Sequence, residues 1–510
     1  MNNQLYYGDN LEVLQNNIPD ESVDLCYIDP PFNSKRDYNQ IYNNIGKEDR
    51  AQAQAFVDTW KWNDAAIDGL KTILVNEKKT FPHKTVCLIR GLKEVLGESS
   101  SFAYIISMTL RIAEIHRVLK PTGSFYLHCD PTASHYLKLV LDTIFIENGG
   151  EFKNEIIWSY KTTLKMPKAH FGHDHDVIFY YTKSKNVKFH PNRKDFPVSE
   201  STLKRWANYA DESGFVSNKH LAGSKSTIID TSDETKGFNI NQGIPRDVWD
   251  IPHITGGNKE NMHYPTQKPE KLLERIIETS SDEGDVVLDA YCGCGTTVAV
   301  AQRLNRNWIG IDITYQSISL ILKRLEESCE NGKNIIENID LKGSPKDLAA
   351  AAALAHKKDD RTRKEFEKWA VLLYSNNYAY INEKKGADKG IDGIAEMAVG
   401  ANEFKKVLFS VKSGKNISVK DIREFLHVIE SNNAAMGIFI TLEQPTKPML
   451  QEAKNAGKFK NPLISRELDK IQIVTIEEIL ANRRMELPMM VEVLKSAERK
   501  TNNKMKKFDF

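Results

Sequence analysis

Residues 286–297 read Val-Val-Leu-Asp-Ala-Tyr-Cys-Gly-Cys-Gly-Thr-Thr, an apolar strand, a glycine loop and a helix start in one unbroken run. A strand that turns so tightly into a helix must send the chain back across a sheet, and the surrounding pattern agrees. Helical spacing covers residues 269–280 and 296–304, with strand-like runs at 286–288 and 308–311. The N-terminal part repeats the theme. Strands are expected at 5–7, 23–28, 124–128 and 155–160, and helices at 11–14, 108–119 and 135–144, with a stop at Lys120-Pro121-Thr122-Gly123. Strands alternating with helices predict an α/β fold built on a doubly wound, mostly parallel sheet.

The glycine loop also carries chemistry. Gly293 and Gly295 let the backbone turn and approach a ligand, and the free N–H groups of a helix N-terminus favour a negative group. A dinucleotide site would want a third glycine at the position held by Val298, which argues against a pyrophosphate. Asp289 beside the loop instead suits a ligand carrying an ammonium as well as a carboxylate, such as the methionine part of S-adenosylmethionine. Asp312, ending the next strand, is placed to accept from ribose hydroxyls. Asp9 follows the first strand and is read either as an acceptor for the cofactor adenine or as a helix cap. The polar side chains of Tyr264-Pro265-Thr266-Gln267-Lys268-Pro269 either bracket the cofactor carboxylate or cap the helix that follows.

The second informative run is Asp29-Pro30-Pro31-Phe32, at the end of an apolar stretch. The lone pair of an aromatic exocyclic amine is delocalised into its ring, so the nitrogen is a poor nucleophile. A carboxylate and a backbone carbonyl accepting its two N–H bonds would draw it towards a tetrahedral, attacking geometry. Asp29 offers the carboxylate and Pro30 the carbonyl, on a backbone stiffened by Pro31. Phe32 offers a flat face for a base swung out of a duplex. The alternative is a strand that ends in a proline-stopped turn.

With 510 residues the chain is expected to hold at least two domains. It is 40% hydrophobic and 27% charged, has no run as long as a membrane span, and shows no signal peptide at its start. Six cysteines suggest a reducing, cytoplasmic setting, and Cys292-Gly-Cys294 has no second pair nearby to complete a metal site. A net charge of +1 neither supports nor excludes nucleic acid. From 162 to 262 periodicity weakens and the chain reads as an inserted, loop-rich region. Its lysines (Lys161, Lys165, Lys168, Lys183, Lys185 and Lys188) lie among Phe171, Tyr180, Tyr181 and Phe189, a pattern open to DNA contact or to a solvated loop.

Taken as a set, DPPF, DAYCGCGTT, GID and YPTQKP, with LKPTGSFYLHCDPTASHYLK, NEIIWSYK and HDVIFYYTKS between them, resemble the β-class of S-adenosylmethionine-dependent DNA amino-methyltransferases. The resemblance implies a Rossmann-like methyltransferase domain over 1–342, made of a catalytic half (1–161), a target-recognition insert (about 162–262) and a cofactor half (263–342). It implies that Asp29, Pro30, Pro31 and Phe32 hold the target amine. Asp9, Thr266, Gln267, Lys268, Pro269, Asp289, Gly293, Gly295, Thr296, Thr297 and Asp312 would hold the cofactor. An aspartate at the head of DPPF resembles the adenine-N6 enzymes, whereas cytosine-N4 enzymes more often carry serine there. The partner implied is double-stranded DNA, in a restriction–modification setting that could include a homodimer or a separate restriction subunit.

Residues 343–364 read as a linker, 365–490 as a second α/β domain and 491–510 as a basic tail. The second domain combines a helix at Glu367, a glycine-rich turn into Asp392, and a strand at 407–411 ending in Lys412. These are the parts of an Mg2+-dependent phosphodiesterase, and they resemble the Mrr-like branch of the PD-(D/E)xK nucleases. Ser410 stands where that pattern wants an acid or glutamine two residues before the lysine. Asp392 as the Mg2+ ligand, with Glu367 as helper, is set against a degenerate DNA-binding module.

Overall fold

A computed structural model of the protein describes residues 3–31, 37–40, 53–57, 62–160, 171–193, 196, 198–217, 237–243, 245–255, 257–258, 260–262, 264, 266–328, 332–356, 360–382, 390–400, 403–414, 416–464 and 467–490. Its larger sheet has nine strands: β1 (Gln4–Tyr7), β2 (Val23–Ile28), β3 (Leu119–Cys129), β4 (Glu151–Ser159), β5 (His175–Thr182), β6 (Val248–Asp250), β7 (Val286–Asp289), β8 (Asn307–Asp312) and β9 (Asp340–Lys342), in the spatial order β6-β4-β5-β3-β2-β7-β8-β1-β9. Every neighbouring pair is parallel except those made by β5, which runs against both β3 and β4.

The centre of the sheet explains its own sequence. Strand β2 is buried at every position, as a central parallel strand covered on both faces must be, and so reads as a continuous run rather than an alternation. Its one charged residue has a use. Asp24 accepts from the Val286 N–H at 2.9 Å and pairs with Lys120 at 2.7 Å, which ties β2 to the starts of both neighbours. Register then follows, with Cys26 opposite Leu288 on β7 and Ile28 opposite Leu127 on β3.

Helices α1 (Asn10–Asn17), α2 (Ser100–Val118), α3 (Glu270–Ser280), α4 (Thr296–Arg303) and α5 (Tyr315–Ser328) pack on the faces of this sheet. The expected break at Lys120-Pro121-Thr122-Gly123 lies inside β3, because a strand end has room for a proline that cannot donate. The loop-rich reading of 162–262 is corrected in part. Residues 175–182 form the buried strand β5, with Tyr180 stacked on Tyr126 at 4.4 Å and Tyr181 wholly buried, so neither ring faces DNA. Lys183 and Lys188 tether this region to the sheet, through the Leu119 carbonyl and through Asp285. Phe171 is exposed, and Phe189 half so. Lys161, Lys165 and Lys168 lie outside the described residues.

Residues 343–364 are not an open linker. Helix α6 (Leu348–Ala355) buries Ala351 and Ala355, and α7 (Asp360–Ser375) follows it. A five-stranded sheet comes next, β10 (Ala379–Ile381), β11 (Gly393–Ala398), β12 (Phe404–Lys412), β13 (Met436–Thr441) and β14 (Ile471–Thr475), in spatial as well as chain order. Helices α8 (Val419–Ser431) and α9 (Lys447–Asn455) complete this second domain. Phe366 and Trp369 of α7 share one apolar cluster with Tyr315 and Ile318 of α5, so the two domains meet through a common core.

Candidate active site

Parallel strands end at one edge, and here that edge gathers residues from remote parts of the chain. Asp29 follows β2, Asp289 closes the adjoining β7, and Asp312 closes β8 next to it. Asp9 follows β1, whose last residue Tyr7 pairs with Asp312. Residues 29–31 and the glycine loop therefore open onto the same edge, where the order of strands reverses.

The glycine loop is wired to two of the acids. The Gly293 N–H donates to Asp312 Oδ2 at 2.9 Å, and Asp289 accepts from the Tyr291 N–H at 2.9 Å and from the Thr297 hydroxyl. Gly293 and Gly295 both have positive φ (51° and 75°), and a Cβ on Gly295 would come within 2.7 Å of the Ile321 side chain. Burial pushes the Asp289 carboxyl up to about 7, with Asp29 and Asp312 adding to the rise against the pull of its donors. Burial likewise lifts Asp312 to about 6, opposed by the Thr314 and Gly293 N–H groups. Two buried carboxyls crowded in this way would be stabilised as anions by a bound cation.

Asp29 sits differently. Its Oδ2 is paired with the Lys268 ammonium, while its Oδ1 is buried and has no hydrogen-bond partner among the described residues. Pro30 is buried and Pro31 half-buried; Phe32 lies outside the described residues. Beneath Asp29 runs a buried chain. The Tyr27 hydroxyl meets His128 Nδ1 at 3.0 Å, His128 Nε2 meets Asp176 Oδ2 at 3.1 Å, and Tyr160 also bonds Asp176.

Several expected cofactor contacts are otherwise engaged. The Gln267 amide bonds the Met262 N–H and the Glu260 carbonyl, fixing its own loop. Pro269 is the N-cap of α3, Thr266 is exposed, and Lys268 holds Asp29 rather than reaching for a carboxylate of a ligand. Thr296 accepts from the buried Arg324 at 3.0 Å, an internal tie. Asp9 caps α1 through the Leu11 N–H and pairs with Arg111 at 3.1 Å, so the capping reading holds there. Sequence reasoning missed Arg111, His128, Asp176 and Tyr264. Arg111 and His128 were visible as polar residues inside apolar runs, and Tyr264 stood in a run already singled out; its ring would lie 3.1 Å from a Cβ on Gly293.

The nuclease-like residues do not assemble in the same way. The Asp392 carboxylate accepts from the Val411 N–H at 2.7 Å, and the Asp392 N–H donates to the Phe409 carbonyl. Ser410 is buried in β12, Lys412 ends it, and Glu367 is half-buried on α7. Among the described residues no group of three His, Cys, Asp or Glu side chains is placed to hold a metal. The described residues around Asp392 thus offer no ready group of ligands for the expected Mg2+.

In open α/β sheets, strand ends of this kind beside a glycine loop are where ligands bind. Residues 23–323 match the DNA methylase family of N6 and N4 methyltransferases, and the chain belongs to that family as a DNA methyltransferase. It is 29% identical to the DNA adenine methyltransferase YhdJ of Escherichia coli K12 over 63% of this chain and 82% of that one. The type II methyltransferase M.HpaI of Haemophilus parainfluenzae is 25% identical over 68% of this chain and 82% of its own length. Among solved structures, the cytosine-N4-specific PvuII DNA methyltransferase aligns over 67% of this chain and 95% of its own with 16% identity and a TM-score of 0.38. Residues 363–481 match a family described as NACHT-associated inactive restriction endonuclease 1.

Proposed function

We propose that the protein transfers a methyl group from S-adenosylmethionine to the N6 amine of adenine in double-stranded DNA, with Asp29 and the Pro30 carbonyl holding that amine. The observation that carries this reading is the buried, unpartnered Oδ1 of Asp29, on the same strand edge as Asp289 and the glycine loop. An acceptor that lacks a donor inside the protein is poised for one from outside. Asp289 and Asp312 fit the cofactor: burial has raised both carboxyls, and the positive charge of the methionine part would favour their ionised forms. When bound, the cofactor supplies an electrophilic methyl group on a sulfonium.

The chain's own groups do the rest. Asp29 Oδ1 and the Pro30 carbonyl accept the two N–H bonds of the amine, localising its lone pair on nitrogen. Phe32 offers the stacking face. The relative named as an adenine methyltransferase and the aspartate at the head of the tetrapeptide both favour adenine over cytosine. The test is mass spectrometry of nucleosides from DNA incubated with the wild-type protein and with Asp29→Ala. N6-methyladenine from the wild type alone, with cofactor affinity retained by the variant, is the expected result; N4-methylcytosine, or methylation by Asp29→Ala, would overturn it.

The second domain is best read as an Mrr-like module that does not cut DNA, because Asp392 accepts from the backbone and, among the described residues, no metal-ligand group surrounds it. A restriction–modification setting accords with the type II relatives. Dimer formation and a separate restriction subunit remain expectations of the family resemblance.

A further inference from the structure

We propose that Lys268 is a positioning residue for the Asp29 carboxylate, turning one oxygen towards the target amine by holding the other, and that it is not a ligand of the cofactor carboxylate. The proposal rests on the reading of Asp29 as amine acceptor.

A carboxylate has two equivalent oxygens and rotates about its Cβ–Cγ bond, so an unrestrained aspartate presents neither in a fixed direction. Here the two oxygens are distinguished. Lys268 pairs with Oδ2, and Oδ1 is the one left buried without a partner. The pair is well shielded, with the side chains of Lys268 and Asp29 only 11% and 15% exposed, so it is less screened than a surface ion pair.

The lysine is itself held from both sides. Gln267 is locked to residues 260 and 262, Pro269 is buried as the N-cap of α3, and the Thr266 carbonyl accepts from Nζ at 3.4 Å. Its backbone is thus held on both sides, and the ammonium reaches Asp29 while its charge is also felt by Asp176. Burial works to raise the Asp176 carboxyl, and the His128 hydrogen bond together with the charges of His128 and Lys268 outweighs it. Asp176 is in turn fixed by His128 and Tyr160. The Tyr27–His128–Asp176 chain thus fixes a second carboxylate whose charge Lys268 feels, while the direct contact of Lys268 is with Asp29.

A lysine that clamps the cofactor and a lysine that orients Asp29 predict different kinetics. Lys268→Met and Lys268→Arg would be compared with wild type in methyl-transfer assays on unmethylated plasmid and in calorimetric titration with S-adenosylmethionine. The expected result for Lys268→Met is a fall in kcat of about tenfold or more, as misplacing a reacting group by a fraction of an ångström can cause. Its cofactor affinity should stay within about twofold of wild type, and Lys268→Arg should recover part of kcat. A wild-type kcat in Lys268→Met, or a cofactor affinity lowered about tenfold at unchanged kcat, would overturn the proposal. Retention of the wild-type melting profile and cofactor affinity shows that the variant is folded. Failure of the underlying reading would appear separately, as methylation by Asp29→Ala.

Discussion

Both domains place an aspartate beside a strand end and a lysine on a neighbouring segment, yet the two carboxylates are engaged differently. At the methyltransferase edge, Asp29 leaves one oxygen without a partner and gives the other to Lys268, a residue from the far half of the domain. In the second domain, the Asp392 carboxylate takes the Val411 N–H from the strand that carries Lys412, so the acid serves its own hairpin. The residue types are alike in the two places, an aspartate and a lysine. What separates them is where the carboxylate's acceptor capacity goes.

The sharpest way to break this comparison is to remove each acid in turn. Asp29→Ala is expected to lower methyl transfer by about a thousandfold or more, the scale seen when a preorganised electrostatic contact is lost at a reacting atom. Asp392→Ala should leave methylation unchanged. Wild-type protein with Mg2+ should leave unmethylated supercoiled plasmid intact on a gel; nicking that Asp392→Ala abolishes would make the two edges equivalent after all.

A smaller effect concerns Asp289, whose carboxyl is held up to about 7 by burial. Below that pH it is protonated and can no longer neutralise a cation, so affinity for S-adenosylmethionine should fall as pH drops from 8 to 6. Asp289→Asn should bind about tenfold or more weakly at pH 8 and lose this dependence, as titration calorimetry would show. The sign for stability is opposite. A folded value above the unfolded 3.8 means that the acid's contribution is present at low pH and fades as pH rises towards 7. Without cofactor, Asp289→Asn should therefore gain on wild type by roughly 3 °C in melting temperature between pH 5 and pH 8.

The smallest effect tests the join between the domains. Glu365 on α7 accepts from the Tyr315 N–H at 3.4 Å and bonds the Tyr7 hydroxyl, two groups that flank Asp312 along the chain or across the sheet. Glu365→Ala strands both donors and should cost about 1–3 kcal/mol, read as a lowered denaturation midpoint. An unchanged midpoint would mean that the second domain is only tethered.

Much of the sheet was legible from the chain, because β2, β7 and β8 carry apolar runs bounded by turn residues and an acid. The helix starting at Thr296 announced itself through Gly295. Strand β5 was hidden by the lysines and asparagines around it, although residues 177–181 are apolar or aromatic throughout; its antiparallel place in the sheet depends on partners 48 to 58 residues away in β3. The acids of the candidate site and Lys268 stood out in the sequence, but Arg111 and the pairing of each cation with its carboxylate did not. Lys268 and Arg111 meet their carboxylates only through strand order, and no local spacing encodes a pair separated by the whole domain. The same limit made Asp392 look like a ligand, since its backbone partner belongs to the next strand.

The central claim is that Asp29 and the acids beside the glycine loop serve one reaction centre. A crystal structure of the protein with sinefungin, in which an amine replaces the methylsulfonium, tests it most directly. The account predicts the ligand along the edge from Asp312 to Asp289, with that amine directed at Asp29 and Pro30. A ligand bound away from the Gly293–Gly295 loop, or with its amine turned from Asp29, would contradict it.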